Sequence, residues 1–241
     1  MQLKKMPWML IVLATMLHLS CDPQSMQKLQ DIAASQAPAV TEQQVADALK
    51  EALTLGVRHG VQYLGKRDGF YRSPYKIVLP EEAHAIVQKV RRFPAFRDAE
   101  EKLLLKINRS AELAMQEAEP IFVDAIQKMT IRDAMRILKG NQDAATQYLR
   151  THTESQLVEA FKPVIVRSLQ HTGVLTLWNK IVKTYNAIPL VEKRNPHLED
   201  YIAQKAVDAL FDRIRIEESR IRSDVQARTT ELLKKVFALQ D

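Results

Sequence analysis

From Thr41 to the C-terminus, apolar residues recur at intervals of three and four and almost nowhere at intervals of two. At that spacing they gather on one face of an α-helix, whereas a half-buried strand would alternate. Only 76–79 hints at extended chain with alternation. A chain patterned in this way must bury its apolar stripes by packing helix on helix. With only six glycines and ten prolines there are few breaks, so the connections are short and the helices become antiparallel neighbours.

The first helix, over 42–64, opens on a capping-box pattern in which Gln44 can reach back to Thr41. It carries Val45, Leu49, Leu53, Val57 and Val61 four residues apart. Beside them runs a row of small residues, Ala48, Ala52, Gly56 and Gly60. Such a row forms a groove for another helix, and close packing there offsets the ~1 kcal/mol that each glycine costs against alanine. Gly65 reads as a left-handed terminator. Residues 65–80 (GKRDGFYRSPYKIVLP) then form a loop with a turn at Asp68-Gly69 and extended chain around Pro74.

Further helices fit 80–93, 97–118 and 120–128, the last with Pro120 in its first turn. Thr130, with Asp133 three residues on, caps another that Gly140 closes. The pattern continues over 142–152, 154–171, 174–187, 197–222 and 227–239, with Thr153 and Gln156 as a cap separating two of these. The expectation is an all-α fold, a compact multi-helix domain of roughly nine helices over 41–241.

The N-terminus is of another kind. Lys4 and Lys5 precede an apolar run from Met6 to Leu19, too short for a membrane span of ~20 residues, and Ser20 then stands before Cys21. A charged start, a short apolar stretch and a small residue before the cut are the parts of a secretory signal. The segment resembles the lipobox of bacterial lipoproteins, in which the cysteine is diacylated and becomes the new N-terminus. It departs from that pattern at His18 and Leu19. Cys21 is the one cysteine in the chain, so no internal disulfide can form, and acylation would consume a thiol otherwise exposed to an oxidising compartment. The chain thus divides into a signal peptide (1–20), a lipid-anchored tether (21–40) rich in Gln, Ser, Ala and Pro, and the helical domain. Asp22 resembles an inner-membrane retention signal, which leans the localisation to the periplasmic side of that membrane.

The formal charge is +6, and +4 without Lys4 and Lys5. The excess is local: 58–109 holds twelve Lys/Arg against six Asp/Glu. Within it, 65–76 interleaves Lys66, Arg67, Phe70, Tyr71, Arg72 and Lys76. Either this is an ordinary solvated face with its aromatics turned to the core, or it faces a membrane or other anion, since aromatic rings and cations both favour the headgroup interface. Export argues against nucleic acid as its partner and leaves anionic lipid or an envelope protein.

No catalytic signature emerges. The histidines His59, His84, His152, His171 and His197 form no zinc-type pair, and Glu81, Glu82 and His84 make at most a weak surface site. There is no nucleophile elbow or glycine-rich phosphate loop. Neither metal nor cofactor is expected. Asp124, set among Phe122, Val123, Ala125 and Ile126, is a candidate for a buried polar pair with Arg109 or Arg132, the alternative being a partly exposed carboxylate. A polar row of Asp143, Thr146, Gln147 and Arg150 reads as capping and ion pairing.

Several stretches carry a further resemblance: 49–65 with Asp68-Gly69-Phe70-Tyr71, 120–137 (PIFVDAIQKMTIRDAMRI), 140–150 (GNQDAATQYLR), Asp200-Tyr201, Lys205-Ala206, and 227–237 (ARTTELLKKVF). Together they resemble the bacterial exported-protein family catalogued as domain of unknown function 4197, across nearly all of 41–239. The resemblance implies an exported helical protein and supplies no catalytic residues. The expected role is a non-enzymatic envelope lipoprotein, an interaction or membrane-apposed module. A periplasmic carrier of lipid or a small ligand is the alternative, and a hydrolase of envelope polymers the remotest.

Overall fold

The structure, a computed structural model, describes residues 40–194 and 197–240. Its helices are α1 (Glu42–Gly65), α2 (Glu81–Val90), α3 (Ala99–Ala114), α4 (Ala118–Lys128), α5 (Ile131–Leu138), α6 (Ala144–His171), α7 (Val174–Asn186), α8 (Leu198–Ser223) and α9 (Glu231–Phe237). Short 3-10 turns occupy Pro94–Phe96, Met115–Glu117, Val225–Ala227 and Ala238–Gln240. Among the described residues there is no strand; 76–80 has no regular secondary structure.

The long helices α1, α6 and α8 form the centre, with α8 packed against both of the others. Around them α3 lies on α6, while α4, α5 and α9 lie on α1, and α7 covers α2. Leu49, Leu64, Phe122, Phe161, Ile165 and Leu210 are buried in this core, where the Phe122 and Phe211 rings meet edge to face at 5.6 Å. The small-residue row of α1 receives α8. A Cβ at Gly56 would stand 3.6 Å from Cβ of Glu217, and one at Gly60 3.2 Å from Cδ1 of Leu210 and 3.5 Å from Cβ of Arg213. Numbers rise along α1 as they fall along α8, so the pair is antiparallel.

Two of the three predicted caps form as capping boxes: Thr41 with Gln44, and Thr130 with Asp133. The predicted break at Thr153 does not. Thr153 is buried within α6, and its hydroxyl donates to the Leu149 carbonyl at 2.7 Å. A threonine that satisfies its hydroxyl one turn back has no need to leave the helix, and neither Gly nor Pro stands beside it to force a stop. Pro163 is carried inside the same helix. Gly65 is likewise not left-handed; the positive φ falls on Asp68, at 67°, with Gly69 next. Gly69 is required by space, because a Cβ there would run into the Leu64 carbonyl.

Two buried charged side chains of α8 bind the ends of other helices. Glu218 accepts from the Ala145 and Thr146 amides at 3.0 and 2.8 Å and from the Thr146 hydroxyl at 2.7 Å, capping α6 from outside it. Arg222, one turn on, pairs with Glu218 at 2.9 Å and donates to the Ile137 carbonyl at 3.0 Å at the end of α5. Orphan amides at a helix start and orphan carbonyls at a helix end thus find partners in one ion pair. Arg228, also buried, donates to the carbonyls of Ile221 and Arg222.

A cationic surface on two loops

The loop after α1 is stapled to α3. Asn108, wholly buried, accepts from the Ile77 amide and donates to the Ile77 carbonyl, each at 2.8 Å, so its side chain stands in for a neighbouring strand. Glu112 accepts from the Phe70 amide at 3.2 Å and from the Tyr71 amide at 3.4 Å. Arg109 joins Glu112 at 2.7 Å and Asp68 at 2.6 Å. At the loop's far end the Tyr75 hydroxyl donates to Asp212 at 2.8 Å. Burial and that carboxylate push the Tyr75 phenol up to about 12. For Asp212, burial works the other way, but hydrogen bonds from Arg215 and Tyr75 hold its carboxyl below the usual range.

This scaffold sorts the candidate residues. Lys66, Arg67, Arg72 and Lys76 point outward and are exposed, with Lys66 over the Tyr63 ring at 4.6 Å and Lys76 over Tyr71 at 5.0 Å. Tyr71 is half-buried. Phe70 does not face outward: it is completely buried, drawn in where Glu112 holds its amide. The exposed aromatic is instead Phe93, 36% accessible, in the turn between α2 and α3, with Arg91, Arg92 and Arg97 exposed around it. Arg91 and Arg97 line the same shallow depression as Tyr71 and Lys76, together with the carboxylates Asp98, Glu100 and Glu101. The two loops therefore make one surface. Of the twelve Lys and Arg from Arg58 to Arg109, those with an ion pair among the described residues are Arg58, with Glu119, and Arg109, as above. The sequence marks a break between 93 and 97, where the Phe-Pro step stands, but not that the residues flanking it share a face with the loop 65–76.

The pairing of Asp124 with Arg109 or Arg132 does not occur. Asp124 is exposed and bound to Lys128 at 2.6 Å, while Arg132 is exposed. Two residues on from Phe122, it stands about 200° round the helix, on the outer face, so apolar neighbours in sequence are not neighbours in space. The polar row 143–150 does not converge: Thr146 turns to Glu218, Arg150 to Glu154 and Asp208, and Asp143 pairs with Gln147. His84 is 3.1 Å from Glu100, and Glu82 is 3.1 Å from Arg194, so these do not converge either. Among the described residues the two carboxyls with shifted pKa, Asp133 and Asp212, are both lowered, Asp133 by the Thr130 cap. That is the wrong direction for a general acid. An apolar cavity between Leu49, Gly56, Glu218 and Phe237 measures about 20 Å³, room for one water.

Cys21, the signal peptide and the tether lie outside the described residues. No helix among those described is long and apolar enough to cross a membrane. A family model described as “Protein of unknown function (DUF4197)” matches residues 39–238. No curated protein matches the chain, and no solved structure does.

Proposed function

The chain belongs to this family of unknown function, DUF4197, and from that premise we propose that it is a lipid-anchored, non-enzymatic module of the bacterial envelope that lies on an anionic membrane. The observation that carries this reading is the surface of unpaired cations around exposed Phe93. Folded proteins leave cations unpaired at little cost, but a local surplus held on stapled loops attracts phosphate-bearing partners. Each Lys or Arg near an anionic bilayer contributes about 1 kcal/mol, and an aromatic ring among them suits the headgroup layer.

On this reading the domain lies with α1 along the membrane. α1 has 24 residues, about 36 Å at the helical rise. The chain from Cys21 arrives at its start, and the cationic loops follow its end. A flexible chain of the length between Cys21 and Thr41 would reach about 25 Å, enough for α1 to lie along the membrane that holds the anchor. Tethering raises the local lipid concentration, so a weak contact suffices.

Residues 40–241 form a compact unit with its own core. Sedimented with vesicles of rising anionic-lipid content, that unit should bind increasingly and release as salt screens the contact. Changing Lys66, Arg67, Arg72, Lys76, Arg91 and Arg92 to Gln should abolish binding while leaving thermal unfolding unchanged. No binding to strongly anionic vesicles at low salt would refute the proposal.

A further inference from the structure

Away from the cationic loops, α5 and the first turns of α6 enclose an open groove of about 500 Å³, lined by Arg136, Asn141, Asp143, Gln147, Tyr148 and His152. Its walls are fixed from behind. The buried Glu218–Arg222 pair holds the amides that begin α6 and the carbonyls that end α5. In the turn that joins the two helices, a Cβ on Gly140 would stand 2.8 Å from that of Ala144, four residues on. The groove is thus set in shape before any ligand arrives.

Tyr148 and His152, one turn apart, stack with ring centroids 4.2 Å apart and planes 32° from parallel. His152 Nδ1 lies 2.7 Å from the Tyr148 carbonyl, which can only accept. The proton of the neutral ring is therefore on Nδ1, and Nε2 is left as an acceptor. Around this pair stand the Asn141 and Gln147 amides and Asp143, which the Gln147 amide engages through one oxygen. Asp133, by contrast, is occupied by the Thr130 amide and hydroxyl.

We propose that this groove binds a saccharide, with a pyranose ring against the Tyr148–His152 platform and its hydroxyl or acetamido groups on Asn141, Gln147, Asp143 and His152 Nε2. The C–H face of a pyranose is apolar and slightly positive, and suits an aromatic face. Its rim carries donors and acceptors in equal measure, which amide side chains match without burying an unpaired charge. An open groove, rather than a closed pocket, admits a chain of such rings. This site is independent of the membrane-facing surface.

The full-length chain in detergent, titrated calorimetrically with the β-1,4-linked tetramer of N-acetylglucosamine and separately with maltotetraose, tests it. Saturable binding of at least one probe is expected, weakened about tenfold by His152→Ala and by Gln147→Ala, each the loss of one stacking or hydrogen-bonding contact. Both residues are exposed, so unfolding temperature and vesicle binding should not move. Failure of both probes to bind at millimolar concentration, or binding that the two variants leave intact, would overturn the proposal.

Discussion

Glu218→Ala tests how the helix ends are held. Glu218 is the acceptor for three donors at the start of α6 and the counter-charge of Arg222, whose side chain is 6% exposed. Truncating it leaves those donors without their acceptor and takes the Glu218 carboxylate from the buried Arg222 guanidinium. Breaking a buried ion pair from one side costs about 3–5 kcal/mol. The lost helix cap, ~1 kcal/mol by itself, is contained in that figure. A domain stable by roughly 5–15 kcal/mol stays folded in water with its midpoint much reduced. Urea unfolding at constant slope should show the loss, and Glu218→Ala with Arg222→Ala should cost less than the two single changes added, by about 2 kcal/mol. A loss under about 1 kcal/mol, or strict additivity, would show that the pair does not hold these helices.

The α1–α8 contact gives opposite signs at neighbouring glycines. Gly56→Ala meets only Cβ of Glu217 at ordinary distance and should stabilise by up to ~1 kcal/mol, whereas Gly60→Leu collides with Leu210, Arg213 and Ile214 and should cost about 1–3 kcal/mol by denaturation. Tyr75 should ionise near pH 12 in absorbance titration. Its folded pKa is raised above the unfolded value of ~10, so its stabilising contribution is complete below pH 10 and lost as pH rises towards 12; Tyr75→Phe should remove that part of the alkaline loss. Mass spectrometry of the membrane fraction should find an acylated N-terminus at Cys21, and an intact Met1 or a free thiol there would contradict lipid anchoring.

Local signals were legible where they act over one turn. The capping boxes at Thr41 and Thr130, and the groove of Gly56 and Gly60, are complete in sequence because their partners lie within four residues or because only small side chains admit a helix. Features joining distant positions were not. The pairing of Glu218 with Thr146 spans 72 residues and that of Asn108 with Ile77 spans 31, and periodicity assigns charged residues to solvent by default. Whether Phe70 turns to the core or outward stayed open in the sequence, since nothing nearby announces that Glu112 draws its backbone inward. Asp124 failed for the converse reason, adjacency in sequence being read as adjacency in space. Of the cationic surface, the loop cations were visible in sequence, but its joining to Arg91, Phe93 and Arg97 needed the fold.

Membrane apposition is tested most directly at Phe93. A Phe93→Cys, Cys21→Ser chain carries one thiol, to which an environment-sensitive fluorophore can be attached. On anionic vesicles bearing quenchers at headgroup depth, its emission should shift to the blue and be quenched, with both effects reversed by salt and missing on neutral vesicles. Emission that stays at its aqueous wavelength, unquenched, on strongly anionic vesicles at low salt would contradict the account.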